Sequence, residues 1–226
     1  MCFSPGASFG AGAVLLAIGL ISVRKTEKRS QLPLASVPLI FSVQQFAEGF
    51  LWMSLQNEDL SYLSHPMAYV FQFCAHVLWP FWIPFAVMKA EEDEKAKSLL
   101  RIFMILGSVV SLYLLYLLFY PIQAKIAGLH IVYERDHPDP LVPYTGILYI
   151  LATVIPGFIS RVRWMWVLGA VLFISYLATA FFYREHVISI WCFFASLLSM
   201  VVLYIIKGLS TDPEVLPRAK SIVPSA

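Results

Sequence analysis

Charge is scarce in this chain: only 13% of its 226 residues are Asp, Glu, Lys or Arg, about half the share of an ordinary soluble domain. The formal net charge of +2 gives no basic footprint of the kind nucleic acid requires. Cysteine is scarce as well. Cys2, Cys74 and Cys192 are too few and too scattered for a disulfide framework or a CxxC zinc site. GxxxxGKS and HExxH patterns are missing, which removes the commonest phosphate-loop and zinc-peptidase chemistries.

Hydrophobic residues make up 59% of the chain, and they are gathered into long runs rather than spread with amphipathic periodicity. A helical run of about 20 apolar residues crosses the hydrocarbon core, because 1.5 Å per residue must cover about 30 Å. Seven such runs can be marked, at 7–23, 32–55, 64–88, 99–121, 144–160, 164–183 and 187–207. The expected fold is therefore all-α, a polytopic transmembrane bundle of seven helices. It occupies residues 1–209 and is followed by a disordered cytoplasmic tail, 210–226. Arg24, Lys25, Lys28 and Arg29 follow the first run, whereas a cleavable leader carries its charge before the apolar stretch; the run reads as a retained span.

Lysine and arginine set the orientation. Arg24, Lys25, Lys28, Arg29, Lys89, Lys95, Lys97, Arg101, Arg161, Arg163, Lys207, Arg218 and Lys220 fall on one side, and only Lys125, Arg135 and Arg184 on the other. The positive-inside rule assigns the first set to the cytoplasm, which leaves the N-terminus outside and the C-terminus inside. Trp52, Tyr62, Tyr120, Tyr144 and Tyr183 outside, with Trp164 and Trp166 inside, fit interfacial aromatic belts. The cytoplasmic loop 89–98, with Glu91-Glu92-Asp93-Glu94 between lysines, reads as a solvated helix extension. The outer loop 122–143 is long enough to cap the bundle; Leu129 to Tyr133 suits an extended segment, and the prolines at 138, 140 and 143 exclude helix there.

Ionisable residues inside a span are costly and are functional candidates for that reason. Two stand out, Glu48 in the second span and His76 in the third. Helical spacing puts Gln44, Gln45, Glu48 and Trp52 on one face, and Gln72, His76 and Trp79 on another. The two spans share a short outer loop, so Gln44 and His76 are expected to meet at similar depth, with Glu48 and Gln72 above them. Pro80 and Pro84 would kink the third span just below. His65, His130, His137 and His186 all belong to the outer side, as does Cys2; Trp191 and Cys192 lie just beneath it.

These residues define an outward-facing intramembrane pocket. Its ligand-binding candidates are Gln44, Gln45, Glu48, Trp52, Gln72, His76 and Trp191, and its acid-base candidates are Glu48 and His76. Imidazole, carboxylate and thiol together suit zinc or copper, with Glu48, His76, His130 and Cys2 as the candidate ligands, although no fixed ligand spacing is present. The bland alternatives are a protonated Glu48 bonding two helices, a satisfied core histidine, surface histidines in the loops, and cysteines that merely pack. Four functions fit this pattern: a binding protein or sensor for a metal ion or small polar ligand, an intramembrane hydrolase acting on a lipid, a proton-coupled transporter, and a structural subunit with other membrane subunits as partners. The lipid bilayer is a partner in every case.

The stretches MCFSPGASFGAGAVLLAIGL, QQFAEGFLW, GLHIVY and IWCFFAS resemble an uncharacterised family of bacterial integral membrane proteins. The resemblance covers nearly the whole chain and implies residence in the bacterial inner membrane; it implies no activity. Other seven-span families fit poorly. A retinal Schiff base needs a lysine midway along the last span, where the chain has only Lys207 at the end, and no HxxxH zinc pair occurs there.

Overall fold

The computed structural model describes residues 4–128, 130–135, 141–182 and 198–211. Among them the chain is mostly helical, with seven helices and one β-hairpin. The helices are α1 (Pro5–Arg24), α2 (Arg29–Gln56), α3 (Glu58–Ala90) and α4 (Glu94–Leu117), then α5 (Val142–Ile159), α6 (Met165–Phe182) and α7 (Ser199–Thr211). The first four are long and apolar enough to cross a membrane; the described parts of the last three are shorter apolar helices. The Cys2, His137, His186, Trp191 and Cys192 expectations lie outside the described residues, as does the tail beyond Thr211.

The helices begin and end where local chemistry directs. Ser4 caps α1, its hydroxyl oxygen accepting from the Ala7 N–H at 3.2 Å, and Pro5 opens the first turn, where a missing N–H costs nothing. Asp93 caps α4 in the same way through Ala96 N–H at 2.8 Å. Helix α1 meets α2 through a stripe of small residues, Ser8, Gly12, Gly19 and Ser22, all buried. At Gly12 a Cβ would stand 3.2 Å from the Phe46 ring, and the Ser42 hydroxyl donates to the Gly12 carbonyl at 2.8 Å. Small residues that admit close backbone approach are how apolar helices associate in lipid, where burial supplies no drive. Gly157 of α5 and Gly169 of α6 meet for the same reason, a Cβ on the first falling 2.8 Å from the Cα of the second.

The two central helices differ from their neighbours. Within their most apolar stretches, α2 is 67% and α3 61% buried, against 28% for α1 and for α4. Helix α4 turns Ile102, Ile105, Val109, Leu112 and Tyr116 outward; recurring every three or four residues, they form an apolar stripe that no protein covers.

Helix α3 is irregular, and its prolines explain why. Residues Phe73–Leu78 form a π segment, in which each N–H bonds five residues back. The next donor in that ladder, to the Ala75 carbonyl, would be residue 80, a proline without an N–H. The Tyr149 hydroxyl of α5 takes its place, donating to Ala75 O at 2.6 Å. Pro84 likewise deprives the Pro80 carbonyl of its helical donor, and Gly107 of α4 packs directly on that carbonyl.

The loop 122–143 departs from the all-helical expectation. Strands β1 (Ile122–Ala127) and β2 (His130–Arg135) pair antiparallel from Ile122↔Arg135 to Ala127↔His130. The extended segment expected near Leu129–Tyr133 is realised as β2. A two-residue connection needs φ > 0 at its first position, and Gly128 supplies φ +62°. Gly128→Val should strain the turn by roughly 1–2 kcal/mol. Faster hydrogen exchange at hairpin amides, with helical amides unchanged, is the expected reading; unchanged exchange would mean that the turn does not depend on glycine.

Candidate functional site

Helices α2 and α3 run antiparallel through the tight turn at Asn57, whose side chain accepts from the Asp59 N–H at 3.0 Å. Their facing sides carry the polar residues. Gln44, Gln45 and Glu48 are 0% exposed, Gln72 1% and Trp52 2%; His76 is partly buried. Deepest in the pair, Gln44 Oε1 accepts from Trp79 Nε1–H at 3.1 Å, while Phe41 stacks on the Trp79 ring at 4.1 Å. The Gln44 oxygen, expected to meet His76, is thus taken by Trp79. One turn above, Gln45 Nε2–H donates to Glu48 Oε2 at 3.5 Å.

Several polar atoms of this cluster have no hydrogen-bond partner: Gln44 Nε2, Gln45 Oε1, Trp52 Nε1, Gln72 Nε2 and His76 Nδ1. An unsatisfied buried donor costs about 1–3 kcal/mol, and native interiors hold few of them. Two or more gathered between one helix pair mark this region apart from the rest of the core. Indole has only its N–H to give. Because Trp79 donates to the Gln44 oxygen, the free Gln44 group must be the amide N–H.

The hairpin covers this end of the helix pair. Ile131 of β2 is 1% exposed and packs with Leu51, Trp52 and Ala68; Tyr133 stacks on Phe71 with ring centroids 5.1 Å apart. Strand alternation gives the bundle-facing side of β2 to Ile131, Tyr133 and Arg135, and His130 shares the opposite face with Val132. From Ile131 to Arg135 the strand advances about 13 Å. From Ala68 to His76 the helix rises about 12 Å. The two therefore keep pace, and the positive charge of Arg135 acts on His76. A cavity of about 290 Å³ lies between the start of α3 and β1, lined by Ser64, His65, Ala68 and residues 122–125.

Sequence reasoning found Gln44, Gln45, Glu48, Trp52, Gln72 and His76 on the facing sides of one helix pair. It missed Arg135 and Tyr133, whose signal is the alternation in HIVYER after a glycine. It also missed Trp79 as the partner of Gln44. Among the described residues, no three His, Cys, Asp or Glu side chains come together to hold a metal ion; Cys2 and Trp191 lie outside them.

The opposite end of the bundle holds a second polar network. Glu91, expected to be solvated, is 4% exposed. Its Oε1 accepts from the N–H groups of Glu92 and Asp93 at 2.9 and 3.0 Å. Its Oε2 accepts from the Ser160 hydroxyl and the Arg161 N–H, both at 2.7 Å. The α3–α4 turn is thereby bonded to the α5–α6 turn, with Arg161 Nη1 and Asp93 Oδ2 adding an ion pair at 3.1 Å.

Fold and site together define a helical protein with membrane-length helices and a buried, donor-rich cluster between two of them. The chain belongs to a family of unknown function, DUF6629, which matches it over residues 1–215. No curated protein and no solved structure matches it.

Proposed function

We propose that this is a seven-span protein of the cell membrane, N-terminus outside and C-terminus in the cytoplasm, that binds a small acceptor-rich polar ligand between α2 and α3 under the hairpin. The uncovered apolar stripes of α1 and α4 and the lopsided placement of lysine and arginine support the topology. The observation that carries the binding role is the set of buried, unpartnered polar atoms, in which N–H donors on Gln44, Trp52 and Gln72 stand against one free amide oxygen, Gln45 Oε1, and the His76 Nδ1. A ligand offering carbonyl or carboxylate oxygens satisfies such a set, and Arg135 adds positive charge nearby. A zinc or copper ion calls for the reverse, an excess of acceptors.

Gln72→Leu tests the reading. Removing an unsatisfied donor should raise the thermal stability of ligand-free protein by roughly 1–3 kcal/mol, while a small molecule that co-purifies with wild type, read by mass spectrometry after denaturation, is lost. If no molecule co-purifies and Gln72→Leu is destabilising, the amides bond helices together and serve no ligand. Stoichiometric zinc or copper in the same sample would replace the polar ligand with a metal.

A further inference from the structure

The network around Glu91 forms one wall of a cavity of about 200 Å³, at the end of the bundle opposite the hairpin. The cavity is independent of the site between α2 and α3. Lys28 reaches it from the α1–α2 connection, and Arg161 and Arg163 from the α5–α6 turn; Ala90, Val162 and Leu209 supply an apolar side. Its volume is below the roughly 300–1,000 Å³ of pockets that enclose a whole small ligand. It suits a headgroup whose remainder stays outside.

Lys28 and Arg161 are held in open ion pairs. The Glu91 carboxylate is fully engaged by three N–H groups and one hydroxyl. Among the described residues Lys28 pairs with Glu92 at 2.6 Å, with side chains 46% and 65% exposed, and Arg161 with Asp93, with its own side chain 66% exposed. Ion pairs this open contribute little and exchange readily for a stronger anion. Arg163 lies 5.6 Å from the centre of the Trp164 ring, and Trp164 adopts φ +68°. A bulky residue takes that conformation only where its surroundings impose it, and here the ring packs against Tyr204 of α7, centroids 5.7 Å apart. Three cations from two separate turns and an apolar wall match the two halves of an anionic phospholipid.

We propose that this cavity binds the phosphate group of an anionic membrane lipid. Phosphate oxygens would take Lys28, Arg161 and Arg163, Arg being suited to paired N–H donation, and the glycerol end would lie along Val162 and Leu209.

Native mass spectrometry of the full chain in detergent tests this with three probes: phosphatidylglycerol, phosphatidylcholine and inorganic phosphate. Phosphatidylglycerol should remain bound and phosphatidylcholine should not. Each of Lys28→Gln, Arg161→Gln and Arg163→Gln should weaken binding about fivefold, the factor one basic residue contributes near an anionic surface. Glu92→Gln, which releases Lys28, should tighten it, a gain that misfolding cannot produce. Equal retention of the two lipids, or a triple variant that keeps its helical circular dichroism and still binds phosphatidylglycerol like wild type, would overturn the proposal. Displacement of the lipid by excess inorganic phosphate would make free phosphate the occupant instead.

Discussion

Gly107→Ala should cost about 3 kcal/mol of stability, the upper end of the range for overfilling a packed interior. The added Cβ would collide with the Pro80 carbonyl, a backbone atom that cannot swing aside as a side-chain end can. Relief requires α3 and α4 to separate along their shared length. Separation would leave the carbonyl, already deprived of its donor by Pro84, without even the Cα–H contact it has. Gly146→Ala provides the contrast, since nothing lies within 4 Å of a Cβ there. In that helix the change should be neutral or favourable by up to about 1 kcal/mol. Thermal unfolding in detergent compares them; equal tolerance of the two alanines would show that α3 and α4 are not in backbone contact.

Glu91→Ala should be comparably damaging, at about 2–3 kcal/mol. It strands the Ser160 hydroxyl and three backbone N–H groups that now bond a charged acceptor, and it unties the α3–α4 turn from the α5–α6 turn. The effect depends on pH in a defined direction. Burial pushes the Glu91 carboxyl upward, but the bonds from Asp93, Ser160, Arg161 and Glu92 outweigh it and hold the group below its ordinary 4.5. A carboxyl depressed in the folded state stabilises it fully above the unfolded value and loses that contribution as pH falls through the folded one. Wild type should therefore lose stability more steeply below pH 4.5 than Glu91→Ala does. Parallel melting curves down the pH series would mean that Glu91 does not carry the link between the turns.

What the sequence made legible is one-dimensional. Each run overlaps a described helix: 7–23 meets Pro5–Arg24, 32–55 lies within Arg29–Gln56, 99–121 is offset from Glu94–Leu117 by about a turn, and 164–183 meets Met165–Phe182, while 187–207 is described only from Ser199. Helical spacing alone brought Gln44, Gln45 and Glu48 to one side of α2. Partners distant in the chain were not legible. Glu91 looked like one more member of an acidic run, because nothing local says that Ser160 and Arg161 stand above it. That Gln44 bonds Trp79 depends on how far each helix is rotated, which spacing within one helix does not fix. The hairpin was half legible: an extended stretch was expected, but a glycine between alternating residues was not weighed as a turn. Arg135 therefore reads in the sequence as a loop charge for orientation, although the strand brings its charge within electrostatic reach of His76.

The proline-interrupted middle of α3 bears on how the chain is made. In the membrane topology proposed above, a bare carbonyl in hydrocarbon costs several kcal/mol, and α3 has two, on Ala75 and Pro80, whose helical donor a proline removes. The residues that attend to them come later: Gly107 from the next helix, and Tyr149, 74 positions beyond Ala75. During synthesis α3 is thus an unfinished segment, favouring a hydrated or chaperoned setting until the second half of the chain emerges. Truncation after α4 should leave that half-built bundle open to degradation, because the Ala75 carbonyl then lacks the Tyr149 hydroxyl that bonds it.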